Sequence, residues 1–257
     1  MFPTRHLAFC TLLLVGVMAG FGPRPAVAQG LDLNNMSAED RALFRKEVRD
    51  YLLANPEVLI EAMEVLEDRQ TTRQSAVERD VIAQNRAALF ADDHSFVGGN
   101  PEGDITLVEF MDYRCSYCRR AYPEVTEMLA RDGNIRWVVK ELPILGTESA
   151  LASRFAVSVL QTEGPEAYHK VHGALVTLRG PVTPETLRRI ADTNRLDVER
   201  VMAGMDTPEV SAAIEKNLVL ARDLGISGTP TFVLHDRFLR GYVPLDQFAQ
   251  IIKDARG

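Results

Sequence analysis

Two cysteines separated by two residues, Cys115 and Cys118, stand between a run of strand formers and a run with helical spacing. This placement limits the fold more than any other feature of the chain. The run Ile105-Thr106-Leu107-Val108-Glu109-Phe110-Met111 is flanked by turn signals and reads as a central buried strand. After Cys115-Ser116-Tyr117-Cys118 come Arg119 to Tyr122, then Val125, Met128 and Leu129 on one helical face, with Pro123 able to kink that helix. Ile135 to Leu142 is a second predicted strand, and a strand, helix, strand order makes an α/β unit. A thiol at the start of a helix meets unsatisfied backbone N–H groups, which favour thiolate over thiol. Cys115 is therefore the expected nucleophile. Cys118, one turn on, is expected to attack a mixed disulfide on Cys115, so that the pair cycles between dithiol and disulfide.

The context of the pair supports redox chemistry over scaffolding. Arg5, the apolar run Leu7 to Phe21, Pro23, Pro25 and Ala26-Val27-Ala28 form the three-part layout of a secretory signal peptide, predicted as residues 1–28. Cys10 falls inside it. Cleavage after Ala28 leaves two cysteines, and 229 of the 257 residues, enough to bury a core without staples. A structural zinc site would want two further thiol or imidazole ligands. His169 and His172 have suitable mutual spacing, but nothing places them near the pair, and they read as partly exposed helix residues. Removal of Arg5 and Arg24 takes the formal charge from −7 to −9, which argues against nucleic acid or anionic membrane as main partner.

Residues 29–95 read as an N-terminal helical arm. Ser37-Ala38-Glu39-Asp40 opens it, Leu43, Phe44, Val48, Leu52, Val58, Leu59, Ala62, Met63 and Leu66 follow at helical spacing, and Asn55-Pro56 marks a break. The charged stretch Glu67 to Arg73 separates these from Val77, Val81, Ile82, Leu89 and Phe90. So narrow an apolar stripe must bury against the rest of the chain or against another copy of the arm. The turn cluster Gly98 to Asp104 divides the arm from residues 96–257. Helical spacing returns over about 148–224, an inserted helical subdomain, before the strands Thr231 to Leu234 and Phe238 to Tyr242 and a closing helix from Leu245 to about Ala255.

Two further features bear on the cysteines. Gly228-Thr229-Pro230-Thr231 enters an apolar strand late in the chain, and an X-Pro amide there can be cis. Such a loop can lie against the sulfurs and leave the Thr229 backbone to pair with an extended substrate peptide. Glu109, an acid in an apolar strand, is expected to take and return the proton of Cys118, with an acid facing solvent at the strand edge as the alternative. Lys140 is its expected partner across neighbouring strands. Tyr117 brings no positive charge to Cys115, so helix position and Arg114 or Arg119 are expected to stabilise the thiolate. No cofactor is implied.

The segments Phe110-Met-Asp-Tyr-Arg-Cys-Ser-Tyr-Cys-Arg-Arg and Gly228-Thr-Pro-Thr-Phe resemble the active-site and cis-proline segments of the DsbA-like branch of the thioredoxin superfamily. The resemblance covers Ile105 to Ala255. It implies an α/β thioredoxin-like fold with a helical insertion, Cys115 as exposed nucleophile, Cys118 as resolving thiol, Thr229 and Pro230 as the substrate-facing loop and Glu109 as the buried acid. More narrowly, Phe44-Arg-Lys-Glu-Val-Arg-Asp-Tyr-Leu-Leu-Ala-Asn-Pro-Glu-Val-Leu-Ile-Glu-Ala resembles the N-terminal region of the ScsC, or suppressor of copper sensitivity, group. This implies a periplasmic thiol-disulfide oxidoreductase acting on exported client proteins. It also implies a membrane redox partner and a homotrimer through the arm, although other members are monomers. The long arm favours the disulfide isomerase or reductase role; dithiol oxidase and a chaperone or Cu(I)-binding module, with the metal held transiently by Cys115 and Cys118, stay open as alternatives.

Overall fold

In the computed structural model residues 35–257 are described; the predicted signal peptide and Cys10 lie outside them. Two compact units are distinguished, one ending at Met63 and the other running from Glu64 to Gly257.

The helix α1 (Ala38–Ala54) starts at a capping box. Ser37 Oγ accepts from the Asp40 N–H at 3.1 Å, and the Asp40 carboxylate accepts from the Ser37 N–H at 3.3 Å. It stops at Asn55, before Pro56, and α2 (Glu57–Gln84) follows. The break expected at Asn55-Pro56 is present, because proline is tolerated only where a helix N–H has no partner. The charged stretch Glu67 to Arg73 lies between the two sets of apolar positions without breaking the helix. It lies inside α2, which contains neither glycine nor proline to interrupt it. Leu43, Phe44, Leu59, Ile60, Met63 and Leu66 are all exposed.

The second unit is built on a five-stranded sheet. Its elements are α3 (Arg86–Phe90), β1 (Phe96–Gly99), β2 (Ile105–Met111), α4 (Ser116–Asp132), β3 (Ile135–Glu141), five helices α5 (Thr147–Glu163), α6 (Pro165–Val176), α7 (Pro184–Thr193), α8 (Val198–Gly204) and α9 (Pro208–Asp223), then β4 (Thr231–Leu234), β5 (Arg237–Arg240) and α10 (Leu245–Arg256). The strand order is β1-β3-β2-β4-β5, with β2 and β3 parallel and every other pair antiparallel. This is an α/β thioredoxin core with N-terminal helices and a helical insertion between β3 and β4.

Register decides what each face carries. Glu109 lies opposite Val139 and Met111 opposite Glu141, so Leu107, Glu109, Met111, Trp137, Val139 and Glu141 share one face. That face packs against α4, α5, α6 and α10 around Phe155, Tyr168 and Phe248. Val108, Phe110, Val138 and Lys140 point the other way, toward Ile82, Leu89, Leu220 and Leu224. Lys140 is thus not the partner of Glu109. It is wholly buried on the opposite face, where its Nζ donates to the Ala88 carbonyl at 2.7 Å and pairs with the Asp92 carboxylate.

One strand was not expected. Phe96–Gly99 ends inside the stretch read as a turn cluster, yet it pairs with β3 at the sheet edge. Phe96 stacks on Tyr168 (centroids 4.5 Å apart) and meets Trp137 edge-on at 5.8 Å. The strand ends at Gly99, whose φ of 65° and the Ile135 carbonyl, 2.3 Å from where a Cβ would stand, exclude a side chain.

Candidate active site

Cys115 is the N-cap residue of α4, and its Sγ accepts the Cys118 N–H at 3.4 Å. A cap is normally an oxygen; here a sulfur occupies the place where the first free amides of the helix point. On its other side Sγ meets the Thr229 carbonyl at 3.1 Å. The thiol is held down to about 5. The hydrogen bond from the Cys118 side chain contributes most, against desolvation; the Thr229 side chain and the N–H groups of Cys118 and Tyr117 add to it. Neither arginine has the role expected of it. Arg114 donates to the Gly180 carbonyl at 3.1 Å and pairs with Glu148 at 3.3 Å, and Arg119 donates to the Val176 carbonyl at 3.1 Å. Both are drawn to the helical insertion by its carbonyls and acid.

The Cys115 residue keeps only 7 % of its exposure, less than the exposed nucleophile implied by the resemblance, because Thr229 and α4 cover it from two sides. Tyr117 beside it is exposed. Cys118 is buried in the first turn of α4, and burial together with the hydrogen bond to Cys115 pushes its thiol far up. The two sulfurs are thus opposite in character: Cys115 ionises readily and Cys118 resists.

The Thr229–Pro230 bond is cis. The loop is held from both directions, with the Gly241 N–H donating to the Pro230 carbonyl at 2.9 Å and Thr231 Oγ1 to the Gly228 carbonyl at 2.8 Å. Asp112 holds the other rim. It is fully buried; Oδ1 accepts from the Arg114 N–H at 2.7 Å, and Oδ2 from the N–H groups of Ile144 and Leu145 at 2.9 and 3.0 Å. One carboxylate therefore ties the loop carrying Cys115 to the loop after β3.

Glu109 lies beneath, 4 % exposed, and accepts from Trp137 Nε1 at 3.0 Å. Burial pushes it up to about 7; the Trp137 bond opposes and the charge of Glu141 adds. The solvent-facing alternative for Glu109 is excluded by its burial.

Sequence reasoning missed Glu141 and misread His172. Glu141 is buried among Tyr113, Tyr168 and Ser153 hydroxyls. His172 is 1 % exposed, not a partly exposed helix residue, because α6 turns it toward Tyr113, with Nδ1 3.0 Å from Tyr113 Oη. The signal for Glu141 was present: a Lys140-Glu141 pair inside an apolar strand must bury one charge on each face.

A pH profile tests the sulfur electrostatics. Alkylation of Cys115 is expected to be half-maximal near pH 5 and flat above pH about 6.5, whereas an ordinary thiol gains tenfold per pH unit up to about 8.5. Absolute rates near neutral pH discriminate poorly, since lower basicity also lowers nucleophilicity. A midpoint above 8 would contradict the geometry's consequence.

Comparison with known proteins gives consistent matches. A family model described as the DSBA-like thioredoxin domain matches residues 106–253, and one described as the Copper resistance protein ScsC N-terminal domain matches residues 40–71. Among solved structures, a thioredoxin-like oxidoreductase from Silicibacter pomeroyi DSS-3 is 42 % identical, covering 67 % of this chain and 98 % of that one, with a TM-score of 0.63. ScsC of Proteus mirabilis in a transitional conformation is 29 % identical, covering 85 % of this chain and 98 % of that one, with a TM-score of 0.62. Among curated proteins, the Na(+)/H(+) antiporter NhaA 1 of Salinispora arenicola is 28 % identical over 164 residues, which is 63 % of this chain and 25 % of the antiporter. The chain thus spans about a quarter of the length of the first curated relatives it matches. Among the described residues, no helix is long and apolar enough to cross a membrane.

Proposed function

Because the chain belongs to the family of DSBA-like thioredoxin domains, we propose that it is a periplasmic protein thiol-disulfide oxidoreductase, acting by preference as a disulfide isomerase or reductase. The observation that carries this reading is the Cys115 sulfur capping α4, with the cis-proline loop against it. The Cys115 thiolate attacks one sulfur of a client disulfide. A Cys115–client disulfide forms, the client S–S bond breaks, and the departing client sulfur leaves as thiolate and takes a proton from solvent. In isomerisation a client thiolate attacks another client disulfide, and the thiolate this frees attacks the client sulfur bound to Cys115, so that a new client disulfide forms, the Cys115–client bond breaks and Cys115 leaves as thiolate. In reduction Cys118 gives its proton to Glu109 and attacks Cys115; the client leaves reduced, and the Cys115–Cys118 disulfide is returned to dithiol by electrons from a membrane redox partner. Thr229 and Pro230 form the face on which an extended client lies.

Residues 29–95 are assigned as an oligomerisation arm for a homotrimer. Support comes from the exposed Leu43, Phe44, Leu59, Ile60 and Met63 on α1 and the start of α2 and from the match of residues 40–71 to the ScsC N-terminal domain. Several sites facing one cavity raise the effective concentration of thiolate around a misfolded client, which suits isomerisation. The full-length mature protein is expected to restore activity to a scrambled multi-disulfide substrate, and deletion of residues 29–63, which spares the buried Ile82 and Leu89 and the Asp92 carboxylate, to remove most of that rescue while leaving disulfide reduction intact. No rescue by the full-length protein would remove the isomerase assignment.

Dithiol oxidase is the second reading, favoured by one observation: holding Cys115 down to about 5 stabilises the reduced pair and makes the disulfide the better oxidant. The redox state of Cys115 and Cys118 in the intact compartment separates the two, reduced for isomerase and oxidised for oxidase. Stoichiometric Cu(I) binding with no catalysed exchange would instead support a copper-handling module.

A further inference from the structure

Glu141, at the end of β3, shares the Glu109 face of the sheet and is 3 % exposed. Its Oε1 accepts from Tyr113 Oη at 2.7 Å and Tyr168 Oη at 2.6 Å, and its Oε2 from Ser153 Oγ at 2.7 Å. Tyr113 Oη has a second neighbour, His172 Nδ1 at 3.0 Å, but only one proton to give.

That shortage permits two complete arrangements. With Glu141 ionised, all three hydroxyls donate to it and His172 donates its Nδ1 proton to Tyr113. With Glu141 protonated, the acid donates to Tyr113, Tyr113 donates to His172 Nδ1, and the imidazole proton sits on Nε2. The arrangements differ by one proton from solvent, and each keeps all of these contacts hydrogen-bonded. Burial holds His172 down to about 3, so the ring stays neutral in both and the charge of the cluster is that of Glu141. Burial pushes Glu141 up to about 7, with the three hydroxyl bonds opposing. A buried site that changes charge near neutrality while these four contacts stay hydrogen-bonded is more than a structural plug.

The cluster borders the redox machinery. Tyr113 is two residues from Cys115. Trp137 donates to Glu109 and presents its ring to His172, centroids 5.5 Å apart. In a low-dielectric interior a second carboxylate on the same face raises the proton affinity of the first. Asp112, Tyr122, Tyr168 and His169 are the other ionisable groups acting on this cluster or on Glu109 and its surroundings.

We propose that Glu141 is a positioning residue for the resolving half-reaction: its charge, switched with the Tyr113–His172 pair, sets how strongly Glu109 holds the proton that Cys118 surrenders. This rests on the proposed role of Glu109. In the step concerned, the Cys118 S–H proton passes to the Glu109 carboxylate, the Cys118–Cys115 bond forms, the Cys115–client bond breaks and the client leaves as thiolate.

The test uses the full mature protein and the aromatic disulfide 5,5′-dithiobis(2-nitrobenzoate). Attack by Cys115 releases one coloured thiolate and attack by Cys118 on the mixed disulfide a second, so the two sulfurs report separately. In the wild type the second phase is expected to have its midpoint near pH 7. Glu141→Gln is expected to move it toward acid by about one pH unit, leaving the first phase where it was. Tyr113→Phe removes one donor to the carboxylate, favours protonated Glu141, and is expected to move the second phase the same way by less; it decides the matter should Glu141→Gln not fold. A second phase unmoved by the Glu141 and Tyr113 variants but moved by Glu109→Gln overturns the inference and leaves the Glu109 role standing. A second phase unmoved by Glu109→Gln overturns both.

Discussion

Cys115→Ser is expected to abolish catalysed exchange on protein disulfides, a loss on the order of 10³-fold or more, as removal of a nucleophile gives elsewhere. A serine hydroxyl capping α4 would still accept the Cys118 N–H, so the fold is expected to survive while the chemistry does not. Cys118→Ala is expected to behave differently. It keeps the Cys115 nucleophile with the N–H groups of Cys118 and Tyr117 on its sulfur, loses the hydrogen bond from the Cys118 thiol, and removes the group that resolves the intermediate, so client proteins accumulate as mixed disulfides visible by non-reducing electrophoresis. The contrast matters because the site splits its work between one sulfur that ionises readily and one that resists. Retained exchange in Cys115→Ser would sink the proposed function. Equal trapping by both variants would show that Cys118 also attacks clients directly.

The second large effect concerns stability. Lys140→Ala leaves the Asp92 carboxylate in the interior without its counter-charge, and breaking a buried pair in this way is expected to cost about 3–5 kcal/mol at pH 7 in urea unfolding. In the wild type Asp92 is held below its ordinary value: burial alone would raise it, and Lys140 reverses the sign, followed by His94. A depressed carboxylate contributes stability above its unfolded value of 3.8, and that stability is lost as pH falls through its lower folded value. Lys140→Ala removes the cause of the depression, so the gap between wild type and variant is expected to close on acidification as Asp92 becomes protonated. The double variant Lys140→Met with Asp92→Leu is expected to regain most of the loss, since it buries neither charge. A gap below about 1 kcal/mol at pH 7 would mean that the pair is solvated or replaced in solution.

The reversal at Lys140 also marks the boundary between what the chain reveals directly and what packing decides. Cys115, Cys118 and the order strand, thiol pair, helix were legible because those relations are local: consecutive residues fix which sulfur meets the helix amides. Thr229 and Pro230 were legible as a turn with a cis-capable bond, although their approach to Cys115 joins positions far apart in the chain. Glu109 was legible as an acid in an apolar strand. Its partner was not, because side chains alternate along a strand and a shift of one residue in register exchanges Lys140 for Glu141. The edge strand β1 was missed for a related reason. Phe96-Val97-Gly98-Gly99 has weak strand preference and pairs only because β3 offers a free edge.

The amino-acid sequence by itself determined the thiol pair, its position at a helix start, the alternation of strands and helices around a helical insertion, and the apolar stripe of the arm. These follow from spacing and from backbone chemistry within a few residues. Only the tertiary structure decided which buried charges share a face, that His172 joins Tyr113 and Glu141, that the arginines beside the pair turn to the insertion, and that one carboxylate, Asp112, ties two loops together. Those outcomes depend on register and on contacts between residues distant in the chain, and no local pattern carries that information.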